Sequence, residues 1–259
     1  MKIGVFDSGL GGLTVVRFIL SLLSDVEIIY LADTVHAPYG EKTTNRILQY
    51  SLDITRYFIE THQIDALVIA CNTATSAAIG ELRSMFPDLV IIGTEPGIKP
   101  AMQVTRSGKI GILATPATLR GDKYQELADS LYGGTELVLF EQACPELVER
   151  IEAGEVDSPR TRQMLEGWLC PMREAGVDTI VLGCTHYPLV AGVMREVMGY
   201  EVTLIETGEA ISKRLQSLLQ LSLSGEPSSL SLYATGEIDR AFVAEIVASQ
   251  QCIIERIVI

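Results

Sequence analysis

Ile64-Asp65-Ala66-Leu67-Val68-Ile69-Ala70-Cys71-Asn72-Thr73 is answered 113 residues later by Val177-Asp178-Thr179-Ile180-Val181-Leu182-Gly183-Cys184-Thr185-His186. Each stretch runs as an apolar residue, Asp, two residues, a buried apolar strand, a small residue, then Cys and polar side chains. Continuous apolar runs of this length suit strands buried on both faces, as in parallel sheets covered by helices. The interval is about one small lobe. The repeat therefore predicts two α/β lobes of similar design, each placing one Cys at the carboxyl end of a strand. That end is where open parallel sheets bind ligands.

The rest of the chain extends this pattern. Further strands are expected at Lys2–Phe6, Glu27–Leu31, Val90–Ile92, Ile110–Ala114, Glu136–Phe140, Val202–Ile205 and Ser231–Ala234. Helical periodicity falls between them at Leu13–Leu23, Arg46–Thr61, Ala74–Met85, Tyr124–Tyr132 and Arg160–Ala175. Thr94-Glu95-Pro96-Gly97 carries the punctuation of a crossing between lobes. The run Ser222–Ser229 reads as a surface loop. Because termini tend to lie near each other, the final stretch is expected to return to the first lobe. The lobes are then 1–94 with 207–259, and 95–206.

The 259 residues are 47% apolar and 20% charged, with a net charge of −13, which fits a globular protein and not a disordered one. There is no basic footprint for nucleic acid or an anionic membrane. The apolar runs are far shorter than the roughly 20 residues a membrane helix needs. Met1-Lys2-Ile3-Gly4-Val5-Phe6-Asp7 meets an acid too early for a secretory signal, so a cytoplasmic location is expected. A small anion is still an acceptable ligand, because backbone N–H groups at helix starts hold carboxylates even in acidic proteins. The cysteines are Cys71, Cys144, Cys170, Cys184 and Cys252, an odd and widely spaced set without a Cys-x-x-Cys pair. That set argues for thiols over a disulfide framework or a zinc site.

Four motifs carry chemistry. In Cys71-Asn72-Thr73 a thiol stands at a strand end and a helix start, where the helix dipole favours thiolate and Asn72 and Thr73 add donors. A buried structural thiol beside a helix cap is the competing reading. In Gly183-Cys184-Thr185-His186-Tyr187-Pro188 an imidazole follows the second thiol by two residues and can tune it. In Asp7-Ser8-Gly9-Leu10-Gly11-Gly12 the glycines permit close backbone approach to a ligand, and Asp7 and Ser8 can hold an ammonium group or orient a thiol. The competing reading is a helix cap and a tight turn. The motif is no nucleotide signature, since the full G-x-G-x-x-G and any Walker lysine are missing. In Pro38-Tyr39-Gly40 a loop offers a hydroxyl and an N–H to a carboxylate.

Together these residues resemble the glutamate racemases, within the aspartate/glutamate racemase superfamily. The resemblance rests on Phe6-Asp7-Ser8-Gly9-x-Gly11-Gly12-Leu13, Pro38-Tyr39-Gly40, Ala70-Cys71-Asn72-Thr73-Ala74 and Gly183-Cys184-Thr185-His186-Tyr187-Pro188, with Glu95-Pro96-Gly97 and Gly208-Glu209-Ala210 in support. It covers nearly the whole chain, in order and spacing. It implies two flavodoxin-like lobes with the active site in the cleft between them, and an isomerase that interconverts L- and D-glutamate without a cofactor or metal. Its product is D-glutamate for peptidoglycan, hence for cell-wall biogenesis and cell shape.

By the same resemblance Cys71 takes the α-proton of D-glutamate and Cys184 that of L-glutamate, assisted by Asp7 and His186 respectively. Ser8, Tyr39, Gly40, Asn72, Thr73, Thr115, Thr118 and Thr185 match substrate contacts, with Asp7 and His186 among them, and Asp33 and Glu152 match supporting acids. The family also implies a homodimer and a cell-wall precursor as activator. His36 and Ala37 stand where a basic and an apolar residue are common, Pro116 where Arg is frequent, and Glu206-Thr207-Gly208 replaces Asp-Ser-Gly. Two opposed thiols suit the reaction physically. One base tends to return the proton to the face it came from, whereas two groups can take it from one face and supply it to the other. The alternatives are an aspartate or hydantoin racemase, a two-lobed small-anion-binding protein with structural thiols, and a metal site from Cys71, Cys184 and His186.

Overall fold

In the computed structural model, which describes residues 1–131, 137–221, 225–247 and 252–259, the chain opens with alternating strands and helices. They are β1 (Lys2–Asp7), α1 (Leu13–Leu22), β2 (Glu27–Ala32), α2 (Thr44–Tyr57), β3 (Ala66–Ile69), α3 (Asn72–Met85) and β4 (Val90–Gly93). Next come α4 (Ile98–Val104), β5 (Lys109–Ala114), α5 (Pro116–Arg120), α6 (Asp122–Leu131), β6 (Val138–Ala143), α7 (Leu147–Glu152), α8 (Pro159–Glu174), β7 (Thr179–Gly183), α9 (Ala191–Met198) and β8 (Thr203–Ile205). The chain closes with α10 (Gly208–Leu219), β9 (Ser229–Ala234), α11 (Arg240–Ile246) and β10 (Cys252–Arg256). Two compact units result, Met1–Thr94 with Gly208–Ile259, and Glu95–Thr207.

The first unit carries a sheet in the order β10-β9-β2-β1-β3-β4, and the second a sheet in the order β6-β5-β7-β8. Every strand pair in both is parallel, so the α/β class with two sets of parallel strands is as expected from the sequence. The run β2-β1-β3-β4 in one sheet has the same order as β6-β5-β7-β8 in the other. The register repeats as well. Ala66 pairs with Val90, and Thr179 with Thr203, each at the 113-residue interval of the sequence echo.

The Asp of each echo stabilises the foot of its sheet. Asp65 Oδ2 accepts the N–H of Lys2, the first residue of β1, at 2.7 Å. Asp178 accepts the N–H groups of Arg106 and Ser107, ahead of β5, at 2.8 Å each, and the Thr105 hydroxyl at 2.7 Å. Burial pushes the Asp178 pKa up, but these bonds and one from Thr179 outweigh it and hold the carboxyl at about 2.

The apolar runs fill the interiors. Phe6, Ile29, Leu31, Phe58, Leu67 and Ile69 pack in one cluster of the first unit, and Ile98, Ile110, Ile112, Tyr124 and Val181 in one of the second. Each such side chain contributes about 1.5–3 kcal/mol on burial. Boundaries moved by a few residues. The helix expected at Arg46–Thr61 starts at Thr44 and ends in a wider π turn, Phe58–His62. The strand expected from Glu136 starts at Val138, and Tyr132, Glu136 and Ser222–Ser224 lie outside the described residues. Strand β10 was not expected. Among the described residues it pairs only with β9, and Ile253 and the charged Glu255-Arg256 are exposed on it, so it lacks a buried run.

Candidate active site

Cys71 follows β3 and is the N-cap of α3. Its sulfur accepts the Ala74 N–H at 3.4 Å, so the thiol faces the positive end of a 14-residue helix. It also lies 3.9 Å from the Ser8 hydroxyl, towards which the thiol donates. The backbone leading to it is fastened, because the Thr75 and Thr94 hydroxyls both donate to the Ile69 carbonyl, at 3.2 and 2.8 Å. Beside it Asn72 is buried, and neither atom of its side-chain amide has a hydrogen-bond partner among the described residues. Such a group carries a desolvation cost of about 1–3 kcal/mol until something polar binds it.

Asp7 ends β1, and its Oδ2 accepts the N–H groups of Gly12 at 3.0 Å and Gly9 at 3.4 Å. The glycine loop therefore wraps the carboxylate. The N-cap of α1 is Gly12, without a side-chain cap bond, so Asp7 is not the helix cap of the competing reading, although it braces the turn into α1. Glycine at 12 is a matter of space: a Cβ there would lie 2.7 Å from the Asp7 Cβ and 2.8 Å from the Tyr30 hydroxyl.

Asp33, after β2, is buried at 2% exposure and is a hub. It accepts the Tyr39 hydroxyl at 2.6 Å and the Thr235 hydroxyl at 2.9 Å, and His36 Nδ1 lies 3.0 Å from both its oxygens. Burial first, and the Asp33 charge second, raise the Tyr39 pKa well above its ordinary value, with Cys71 and Asp7 adding to it. Tyr39 is thus a neutral phenol whose proton is committed to Asp33. Gly40 follows it in a short 3-10 turn.

In the second unit Cys184 follows β7 directly. Gly183 before it is small because a Cβ would sit 2.8 Å from the Leu113 carbonyl oxygen. His186 Nδ1 lies 3.7 Å from the Cys184 sulfur, and its Nε2 lies 2.5 Å from Glu152 Oε1, at the end of α7. Burial alone disfavours the imidazolium, yet the bonds to Cys184 and Glu152 outweigh it and raise the His186 pKa well above the usual value. A buried imidazolium beside a thiol can counter the charge of its thiolate or pass it a proton. Thr185 is buried next to the thiol, and Thr115 and Thr118 pair through their hydroxyls at 3.0 Å at the end of β5. Cys144 takes in its sheet the place of Asp33: Cys144 N–H bonds Ala114 O after β6 as Asp33 N–H bonds Asp7 O after β2. Burial pushes its thiol far up, which leaves it an inert hydrophobe.

Asp7, Ser8, Asp33, Tyr39, Gly40, Cys71, Asn72 and Thr73 therefore share the carboxyl ends of β1–β3 or the turn beside them. Thr115, Thr118, Glu152, Cys184, Thr185 and His186 gather at the corresponding end of the second sheet. Tyr30 and Thr235 were missed, since one reads as strand core and the other as a loop threonine. Among the described residues no three His, Cys, Asp or Glu side chains are arranged to hold a metal ion. No described helix is long and apolar enough to cross a membrane.

Residues 11–215 match the model of a family described as Asp/Glu/hydantoin racemase. A glutamate racemase of Sulfurovum sp. (strain NBC37-1) is 57% identical over 97% of this chain and 96% of its own. That of Aliarcobacter butzleri is 59% identical over 84% of each. Among solved structures, a glutamate racemase isoform of Bacillus anthracis superposes with a TM-score of 0.86 at 30% identity, over 99% of this chain and 97% of its own. The Escherichia coli glutamate racemase, solved with L-glutamate and the activator UDP-MurNAc-Ala, gives 0.84 at 30% identity over 99% and 98%.

Proposed function

Because the chain belongs to the Asp/Glu/hydantoin racemase family, we propose that it interconverts L- and D-glutamate by a cofactor-independent transfer of the α-proton between two thiols. The observation that carries the mechanism is the equivalence of Cys71 and Cys184, each following the third strand of the same four-strand pattern. In the L-to-D direction Cys184, as thiolate, removes the α-proton while Cys71, as thiol, supplies one to the opposite face. The reverse reaction exchanges the roles. Asp7 serves Cys71, and the His186–Glu152 pair serves Cys184.

Charge that develops on the substrate carboxylate needs donors already in place. The unpaired Asn72 amide at the start of α3 is suited to that, with Ser8, Thr73, Gly40, Thr115, Thr118 and Thr185 as further contacts. Because its phenol proton goes to Asp33, Tyr39 is assigned to contact through its backbone. Asp33 holds the Tyr39 turn in place by accepting its hydroxyl. The product would supply peptidoglycan synthesis in the cytoplasm. A homodimer and activation by a UDP-linked cell-wall precursor are part of the same proposal, the latter by similarity to the Escherichia coli enzyme.

The test is incubation of the pure protein with L-glutamate in D₂O, following circular dichroism and α-deuterium together. Loss of optical activity with α-deuteration supports the proposal. Faster turnover of aspartate or a hydantoin reassigns the substrate within the family. Binding of glutamate without α-exchange overturns it.

A further inference from the structure

We propose that Tyr30 is a positioning residue for Asp7: its hydroxyl holds the glycine loop in the shape that keeps the Asp7 carboxylate ringed by N–H donors. The proposal rests on the reading of Asp7 as the acid/base partner of Cys71.

Tyr30 lies in the interior of β2 with no exposed surface. Its neighbours Ile28, Ile29 and Leu31 are ordinary core side chains. A phenol in such a place needs a partner for its O–H. That partner is the Gly9 carbonyl, at 2.6 Å, 21 residues earlier in the chain. Gly9 also donates its N–H to Asp7 Oδ2, so one residue is held from both sides, by Tyr30 at its carbonyl and by Asp7 at its nitrogen. Gly12 closes the ring by donating to the same oxygen, and the space above it is bounded by Asp7 Cβ and the Tyr30 hydroxyl. The loop then feeds α1 through bonds from Leu13 N to Leu10 O and from Thr14 N to Gly11 O. Tyr30 of β2 therefore ties the loop to the sheet from one side, as Asp7 of β1 does from the other.

A carboxylate that accepts backbone N–H groups is favoured in its charged form. Deleting the Tyr30 hydroxyl frees the Gly9 carbonyl, loosens the ring and makes Asp7 easier to protonate. The other titratable groups collected here are Tyr39 in its turn, Asp33 after β2 and Cys71 after β3, and the last two act with Asp7 on the Tyr39 phenol. None of them is altered by Tyr30→Phe, which removes one oxygen.

The experiment is a carboxyl ¹³C NMR titration of aspartate-labelled protein, with Asp7→Asn used to assign the Asp7 resonance. It is run on wild type and Tyr30→Phe beside pH profiles of racemisation. The expected result is an upward move of the Asp7 midpoint by at least half a pH unit. The acidic limb of kcat/KM should follow it, with kcat/KM down about tenfold at neutral pH. A lower Tm with an unmoved Asp7 midpoint would make Tyr30 a purely structural residue and overturn the proposal. Should Tyr30→Phe fail to fold, Gly12→Ala crowds the same contact and is expected to move the midpoint in the same direction. The NMR titration needs no substrate, so it decides the role of Tyr30 even where the racemase reading fails.

Discussion

Glu152 and His186, 34 positions apart in the chain, meet at 2.5 Å through Oε1 and Nε2, while the other ring nitrogen of His186 faces the Cys184 sulfur. The carboxylate is one of the causes that raise the His186 pKa. In Glu152→Gln the imidazole should titrate at least one pH unit lower by ¹⁵N NMR, and racemisation should slow by about 10²-fold. The sign for stability is also fixed. A raised histidine pKa stabilises the fold fully below the unfolded value near 6.5, and that stabilisation fades as pH rises through the higher folded value. The Tm advantage of wild type over Glu152→Gln should therefore shrink in alkaline buffer, and a constant gap would contradict the pairing.

Replacing either thiol removes the proton carrier for one face. Cys71→Ala and Cys184→Ala should each lower racemisation by about 10³-fold or more, measured by circular dichroism. Ser variants of Cys144, Cys170 and Cys252 should retain turnover. Wild-type rates in either Ala variant would sink the two-thiol mechanism.

The buried Asn72 amide costs stability while it is unpaired. Asn72→Leu, close in volume, should raise the substrate-free unfolding free energy by roughly 1 kcal/mol, and with it Tm, and raise KM for glutamate about tenfold or more. Calorimetry and initial rates on the same preparation check this. A lower Tm with unchanged KM would assign Asn72 to the scaffold.

Asp178 has a folded pKa of about 2 against an ordinary 3.8, so its bonds to Thr105, Arg106 and Ser107 stabilise the second unit above pH 3.8. That contribution is lost as pH falls from 3.8 towards 2. Asp178→Asn should unfold at a lower temperature than wild type at pH 7, and the difference should close across that acid window.

The sheets were legible because Ala66–Ile69 and Ile180–Gly183 are unbroken runs without a polar side chain or an exposed position, as a doubly covered strand requires. Strand β10 was illegible for the opposite reason, since edge pairing through the backbone leaves no pattern in Glu255 and Arg256. The thiols were legible because a small residue before each Cys and polar residues after it mark a strand that stops abruptly. Glu152 entered the reading only through family resemblance, because nothing local links the end of α7 to His186. Tyr30 gave no signal at all, as its apolar ring satisfies the strand pattern and hides the use of its oxygen.

The two sulfurs sit in unlike surroundings, a helix start and a serine hydroxyl for Cys71, a buried imidazolium for Cys184. Enantiomers have equal free energy, so for a racemase the equilibrium constant is one and kcat/KM must be identical in both directions. The difference between the two halves is then confined to how that fixed ratio divides. Each enantiomer has its own kcat and its own KM, and they rise or fall together. A protein folded from two similar halves can thus be tuned for the concentration of one enantiomer without shifting the balance between them.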